Sequence, residues 1–384
     1  MAPSSITTRR SWVRFLSAVV AVAIAIGITL VVATSRPHST HALGTTSAMP
    51  LMMSRVASTN VFYVLWSTSC DASPCFVLTR TDDGGLSFAS VAPPPISPAS
   101  GSDTGSLERL VFATADDGYA IEGTYGSSRL FATFDGGRTW HSEGLAPHTA
   151  VFDMTATASE FYAITVRCAT PNATCSDYRL LRSAPGSATW SSSTIPDGAL
   201  LGGTGVGLAA YGRDVWLCEQ EQIVGAPSVL ATSTNGGRSF TTAVHSQLIG
   251  VSGCALTATS RSSLWALTPT GMMESLNTSS DGGARWIPAR LRMEMSGTGG
   301  GALDPMPDGT AYLVLGLGGN RLYRISANGR VAAVGRSPLT DYLALNFTSR
   351  ADGLALGFAN TETTTQYFLE RTVDGGRRWS VLHL

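Results

Sequence analysis

The sequence predicts an all-β fold: a seven-bladed propeller of four-stranded antiparallel blades, behind one N-terminal transmembrane helix. A Gly-Gly turn motif recurs about every fifty residues, apolar runs of strand length separate its copies, and the composition is poor in charge and rich in turn formers. Of 384 residues 14 % are charged and 43 % hydrophobic, with 41 glycines. That balance suits many short strands joined by turns better than long salt-bridged helices, and it supplies apolar surface for a sizeable core.

The N-terminal segment comes first. Residues 15–33, FLSAVVAVAIAIGITLVVA, run nineteen positions without a charge, long enough to cross the hydrocarbon core as a helix. Arg9, Arg10 and Arg14 precede it and Arg36 follows. The positive-inside bias therefore puts residues 1–14 in the cytosol and the rest of the chain outside. A signal anchor in the cell membrane is the expectation. The competing reading is a secreted protein, its signal peptide cleaved near THA at 40–42. TRRSW at 8–12 is similar to a twin-arginine export signal but lacks the pattern that usually follows. Residues 34–50 are polar and without apolar periodicity, as in a flexible tether, which leaves 51–384 for the propeller.

All 26 basic residues are arginine, so arginine clusters weigh little here as evidence for phosphate binding. Without the three arginines of residues 1–14 the exported part holds 23 Arg against 27 Asp plus Glu. Nucleic acid is excluded as a partner by that acidic balance.

Six cysteines in an exported chain point to disulfides. Cys70 and Cys75 flank DASP, Cys168 and Cys175 flank ATPNAT, and each pair is placed to staple one hairpin; Cys218 and Cys254 then pair by exclusion. Other connectivities stay open, because spacing alone does not fix them. Neither spacing suits zinc and no histidines cluster nearby, so no metal and no cofactor is expected.

The repeated motif is Ser/Thr-x-Asp-Gly-Gly-x-x-aromatic. Its copies are TDDGGLSF (81–88, with Asp83 and Phe88), TFDGGRTW (133–140, Asp135 and Trp140), STNGGRSF (233–240, Asn235 and Phe240), SSDGGARW (279–286, Asp281 and Trp286) and TVDGGRRW (372–379, Asp374 and Trp379). Eroded copies are SAPGSATW (183–190), which keeps Trp190, and SANGRVAA (326–333). Their third positions, 83, 135, 185, 235, 281, 328 and 374, are spaced by 52, 50, 50, 46, 47 and 46 residues. Each period holds four short strand-like runs, the content of one propeller blade, with the motif joining the third to the fourth. Paired glycines admit positive φ, and the carboxylate and hydroxyl serve turn backbone groups that no ladder reaches. The aromatic folds back on the sheet. The motif thus reads as architecture; it lacks the alternating oxygen ligands of a calcium loop.

These residues resemble the Asp-box, or bacterial neuraminidase repeat, found in sialidases, sortilin-like receptors, xyloglucan-cleaving glycoside hydrolases and the photosystem II assembly and stability factor. The resemblance covers nearly all of 51–384, and FATADDGYAIEG (112–123) and FTSRADGLALGF (347–358) look most like the assembly-factor branch. It implies a propeller and leaves activity open, since the Asp-box is a structural element across those families. The nearest phrase to the sialidase Arg-Ile-Pro is YRIS (323–326), which lies in the sixth repeat and lacks the proline. Serine-hydrolase and metalloprotease motifs are absent as well. No catalytic residue is assigned.

The functional expectation is a membrane-tethered extracytoplasmic binding or scaffold module for a protein or glycan partner, a monomeric propeller. A sialidase-like or other glycoside hydrolase and an extracytoplasmic complex-assembly factor are the alternatives. Strand direction places the loops between strands one and two and between three and four on one side, and the remaining loops on the other. The unusual segments 67–75, 92–105, 168–175, 218–228, 268–275 and 359–366 all belong to the second side. Loops on a rigid scaffold are where recognition resides, so the candidate binding residues are Asp71, Asp177, Tyr178, Glu219, Glu221, Met272 and Met273.

Overall fold

In a computed structural model, the described residues are 49–384 without 57–58, 71–72, 97–105, 125–126, 169–174, 196–205, 220–225, 251–253, 270–273, 290–301, 315–320, 327, 338, 340, 361–364 and 383–384. The expected membrane helix and most of the tether lie outside them. Among the described residues no helix is long and apolar enough to cross a membrane.

Seven four-stranded antiparallel sheets form the blades. Blade one is β1–β4 (Met49–Arg55, Phe62–Cys70, Ser73–Thr81, Ala89–Val91) and blade two is β5–β8 (Ser106–Phe112, Gly118–Thr124, Ser127–Thr133, His141–Glu143). Blade three is β9–β12 (Thr149–Ala156, Phe161–Cys168, Cys175–Ser183, Ser191–Thr194) and blade four is β13–β16 (Val206–Tyr211, Asp214–Glu219, Ala226–Ser233, Thr241–Gly250). Blade five is β17–β20 (Ala255–Ala258, Leu264–Pro269, Glu274–Ser279, Ile287–Pro288) and blade six is β21–β24 (Ala302–Pro305, Ala311–Val314, Arg321–Ile325, Val331–Arg336). Blade seven is β25–β28 (Asp341–Phe347, Gly353–Asn360, Thr365–Thr372, Ser380–Leu382). Every sheet takes its strands consecutively, so the ring closes without strand exchange between the first blade and the last.

The second strands read as nearly continuous apolar runs because neighbouring blades cover both their faces. Tyr63, Tyr119, Tyr162, Trp216, Trp265 and Tyr312, one on the second strand of each of the first six blades, are among the largest fully buried side chains. Most use their polar tip on the next blade. Tyr63 Oη donates to Ala115 O at 2.5 Å, Tyr162 Oη to Gly212 O at 3.1 Å, Trp216 Nε1 to Gly282 O at 2.9 Å and Tyr312 Oη to Arg350 O at 2.7 Å.

First strands meet around the axis. Phe112 N donates to Ser54 Oγ of β1, and Val151 N to Ser128 Oγ of the third strand of blade two, so neutral hydroxyls serve two seams. Asp153 in β9 accepts from Leu208 N of blade four at 3.0 Å and lies 3.0 Å from Arg109 of blade two. Only strands near the axis can bring three successive blades within reach of one carboxylate.

Cys218 in β14 is bonded to Cys254 at the start of blade five, with a Cα–Cα distance of 5.9 Å, so this bridge staples two blades. Cys75 and Cys168 are also disulfide-bonded, and the ladder sets Cys168 opposite Cys175.

Candidate binding face

The motif face is spent on architecture. In blade two, Thr133 Oγ1 donates to Asp135 Oδ1 and accepts from Gly137 N at 2.8 Å. Asp135 Oδ1 accepts from the N–H groups of Arg138 and Thr139 at 2.9 Å, and its Oδ2 from Thr139 Oγ1 at 2.6 Å. Asn235 holds the same place in blade four, with Nδ2 donating to Ser239 Oγ. The first glycine ties the motif to the other turn on its side: Gly136 N donates to Asp116 O, Gly236 N to Arg213 O and Gly375 N to Ala351 O. The φ angles of Gly136 and Gly137, +74° and +81°, lie where L side chains are strained.

The aromatic does more than cover its own sheet. Trp140 Nε1 donates to Ala92 O of the preceding blade at 2.9 Å. Trp190, Phe240 and Trp379 likewise pack into the core shared with the blade before them, and Trp286 is buried against Trp216 and Leu230 of blade four. Phe88 of blade one packs with Leu356, Leu369 and Leu382 of blade seven and so closes the ring. Position eight is an inter-blade staple, a role the spacing of the copies did not disclose.

The second face departs from expectation in detail. Segment 67–75 is mostly strand, since β2 runs to Cys70 and β3 begins at Ser73. Asp71, Glu221, Met272 and Met273 lie outside the described residues. Glu219, expected on an exposed acidic loop, is instead the last residue of β14, 0 % exposed and laddered to Val206 and Val229. It faces blade three. Burial first, then the charge of Glu219, raises the Tyr178 hydroxyl above its ordinary value. The structure thus brings Tyr178 and Glu219 together from two blades, with Asp177 next in the chain. Asp177 Oδ1 accepts from Arg179 Nε at 2.7 Å, and Arg179 Nη1 donates to Thr194 Oγ1 at 2.9 Å.

Phe152 was missed. It is the extra residue of a bulge in β9, where Asp153 opposes Ile164 but Val151 opposes Thr165. On the other side of β10 a second irregularity inserts one residue into β11 between Arg179 and Ser176, and Asp177 there takes φ of +62°. Bulges re-aim side chains. These two bring Phe152 and Tyr178 into a stacked pair, ring centroids 6.0 Å apart and planes at 30°, with Phe152 37 % exposed. The sequence held one trace of it, the spacing of three between the buried Val151 and Met154 where an unbroken strand gives two.

Among the described residues no group of three His, Cys, Asp or Glu could hold a metal ion. Phe152 and Tyr178 offer an aromatic surface beside the ion pair of Asp177 and Arg179.

No family model matches the chain, and no curated protein matches it. Solved structures do. Puromycin hydrolase is similar at 15 % identity and TM-score 0.55, over 86 % of this chain and 54 % of that one, so the chain spans about half the length of that enzyme. A structure described as YCF48 bound to D1 peptide is similar at 16 % identity and TM-score 0.52, over 86 % of this chain and 95 % of that one. The β-propeller domain of the Trilobed protease from Pyrococcus furiosus, described as having an open velcro topology, is similar at 9 % identity and TM-score 0.53, over 88 % and 98 %. These likenesses show the fold, a seven-bladed β-propeller of four-stranded antiparallel blades.

Proposed function

We propose that the chain is a membrane-tethered, extracytoplasmic scaffold module of the Asp-box kind, and that a protein partner docks over its second face at Phe152 and Tyr178. The observation that carries this reading is the pair of irregularities flanking β10. Two departures from regular pairing in one blade, converging on an exposed aromatic pair, are positioned features of the kind that re-aim side chains beside sites. Rigid aromatics offer large contact area at low entropic cost, which is why they anchor interfaces.

The similar YCF48 structure, covered almost end to end, carries a peptide, and this supports a protein partner and an assembly role. The charge-free run at 15–33 supports the anchor. An inter-blade disulfide belongs to an oxidising compartment, which supports placing the propeller outside the cytosol.

The test is capture. The compact unit Thr46–Leu384, immobilised and passed over the solubilised cell envelope, should retain a defined partner. The double variant Phe152→Ser, Tyr178→Ser should lose it, and Leu86→Ser, on the motif face at 70 % exposure, should keep it. Retention by the double variant with loss by Leu86→Ser would reverse the assignment of faces.

A further inference from the structure

Blade seven sits between blade six and blade one at the place where the ring closes, and its seams hold two buried carboxyl groups that the binding face does not use. Asp304 in β21 is buried. Its Oδ2 accepts from Phe347 N of blade seven, and Arg55 Nη2 of blade one stands 3.5 Å from its Oδ1 while Arg55 Nη1 donates to Phe347 O. Three blades meet at that ion pair. Across the ladder stands Tyr312, and Arg55 is the cation that acts on the carboxylate.

Glu370 in β27 is fully buried. Ser337, following the last strand of blade six, donates through Oγ to Glu370 Oε2 at 2.6 Å, while Oε1 has no hydrogen-bond partner among the described residues. Tyr342 Oη in β25 is also buried without one. The ladder neighbours of Glu370, Ala355 and Val381, are apolar. Among the described residues the groups that act on Glu370 from the packed elements are therefore hydroxyls, with no cation among them.

We propose that this seam is a proton-operated clasp: acid draws blade seven tight against blade six by neutralising Glu370, and ionisation of Glu370 loosens it. Charge buried without full compensation is costly, and protonation removes it. Burial, opposed by Arg55, pushes Asp304 up to about 6, and burial, opposed by the Ser337 hydroxyl, raises Glu370. Both shifts are upward, so the folded ring holds protons that the unfolded chain releases near pH 4. The share of Asp304 is complete below that value and is lost as pH climbs through about 6, and that of Glu370 is lost as pH climbs through its own raised value. Blades two to four repeat the Asp–Arg half with Asp153 and Arg109.

The full-length protein should be followed by hydrogen exchange at about pH 5 and about pH 7.5, with rates corrected for intrinsic base catalysis. Protection in segments 341–347 and 365–372 should fall about tenfold or more at the higher pH while 264–269 and 274–279 of blade five hold. Glu370→Gln should remove most of that fall. Ser337→Ala, which takes away the hydroxyl that steadies the carboxylate, should steepen it. Protection insensitive to pH, an equal fall in blade five, an undiminished fall in Glu370→Gln, or a fall in Ser337→Ala no steeper than in the parent would each overturn the clasp. Should Glu370→Gln fail to fold, the Ser337→Ala comparison decides.

Discussion

Arg371 Nε, in the last blade, donates to the carbonyl of Gly84, in the motif of the first, at 3.0 Å across 287 residues of chain. Beneath that bond Leu354 and Leu382 stand where a Cβ on Gly85 would be. Blade seven carries Leu354 where the first six blades carry a tyrosine or tryptophan with a polar tip, and Arg371 supplies a donor to the first motif instead. Closure thus uses an intact motif, and Arg182 Nη1 of blade three reaches the Gly236 carbonyl of blade four in the same way, at 3.5 Å.

Carboxylate and amide should be interchangeable within the motif at neutral pH. Asn235 makes the bonds of Asp135 in its own blade, so Asp135→Asn should cost less than about 1 kcal/mol, while Asp135→Ala, which strands several turn donors, should cost about 1–3 kcal/mol. Urea melts at pH 7 measure both.

In acid the same pair separates. Against opposing burial, the hydroxyl and N–H of Thr139 hold Asp135 at about 2, and backbone N–H groups hold Asp374 below its ordinary value. A depressed carboxylate stabilises above the unfolded value near pH 4 and loses that contribution as pH falls through the folded one. Melts at pH 3 should therefore show Asp135→Asn losing less than the parent.

Glycine at the fifth motif position should be the less replaceable kind. Gly237 has φ of +76° and a Cβ there would sit 2.0 Å from Leu180 of the preceding blade, whereas Gly212 has φ of +58° with nothing within 4 Å. Gly212→Ala should cost about 1 kcal/mol for the backbone alone, and Gly237→Ala about 3 kcal/mol once overpacking is added. Thermal melts rank them.

Reducing the bridge between blades four and five should lower stability by about 3–4 kcal/mol, the entropy of a loop with sequence separation 36. Denaturant melts of Cys218→Ala, Cys254→Ala measure it, and peptide mapping without reduction should also recover Cys70 with Cys75 and Cys168 with Cys175.

The ring was legible because its motif is local. Paired glycines with an Asp or Asn two residues after a Ser or Thr specify a turn by chemistry that neighbours cannot override, so regular spacing passes directly into blades. The exclusion that paired Cys218 with Cys254 worked for the same reason, since the other four cysteines sit in two short stretches. Glu219 misled because charge reads as solvent exposure, yet a second strand is covered on both faces, and the residue is buried beside Tyr178. Phe152 was illegible because a bulge is set by pairing across strands, and one extra residue changes little in a composition-based reading. The direction in which Trp140 reaches, backward to Ala92, depends on how neighbouring blades pack, which no single repeat encodes.

The most direct test of the binding face is a hydrogen-exchange footprint of the captured partner on the propeller. Protection gained over Thr149–Ala156 and Cys175–Ser183, with the motif turns 81–88, 133–140 and 233–240 unchanged, is the predicted result. Protection confined to those turns, with blade three exchanging as in the free protein, would contradict it.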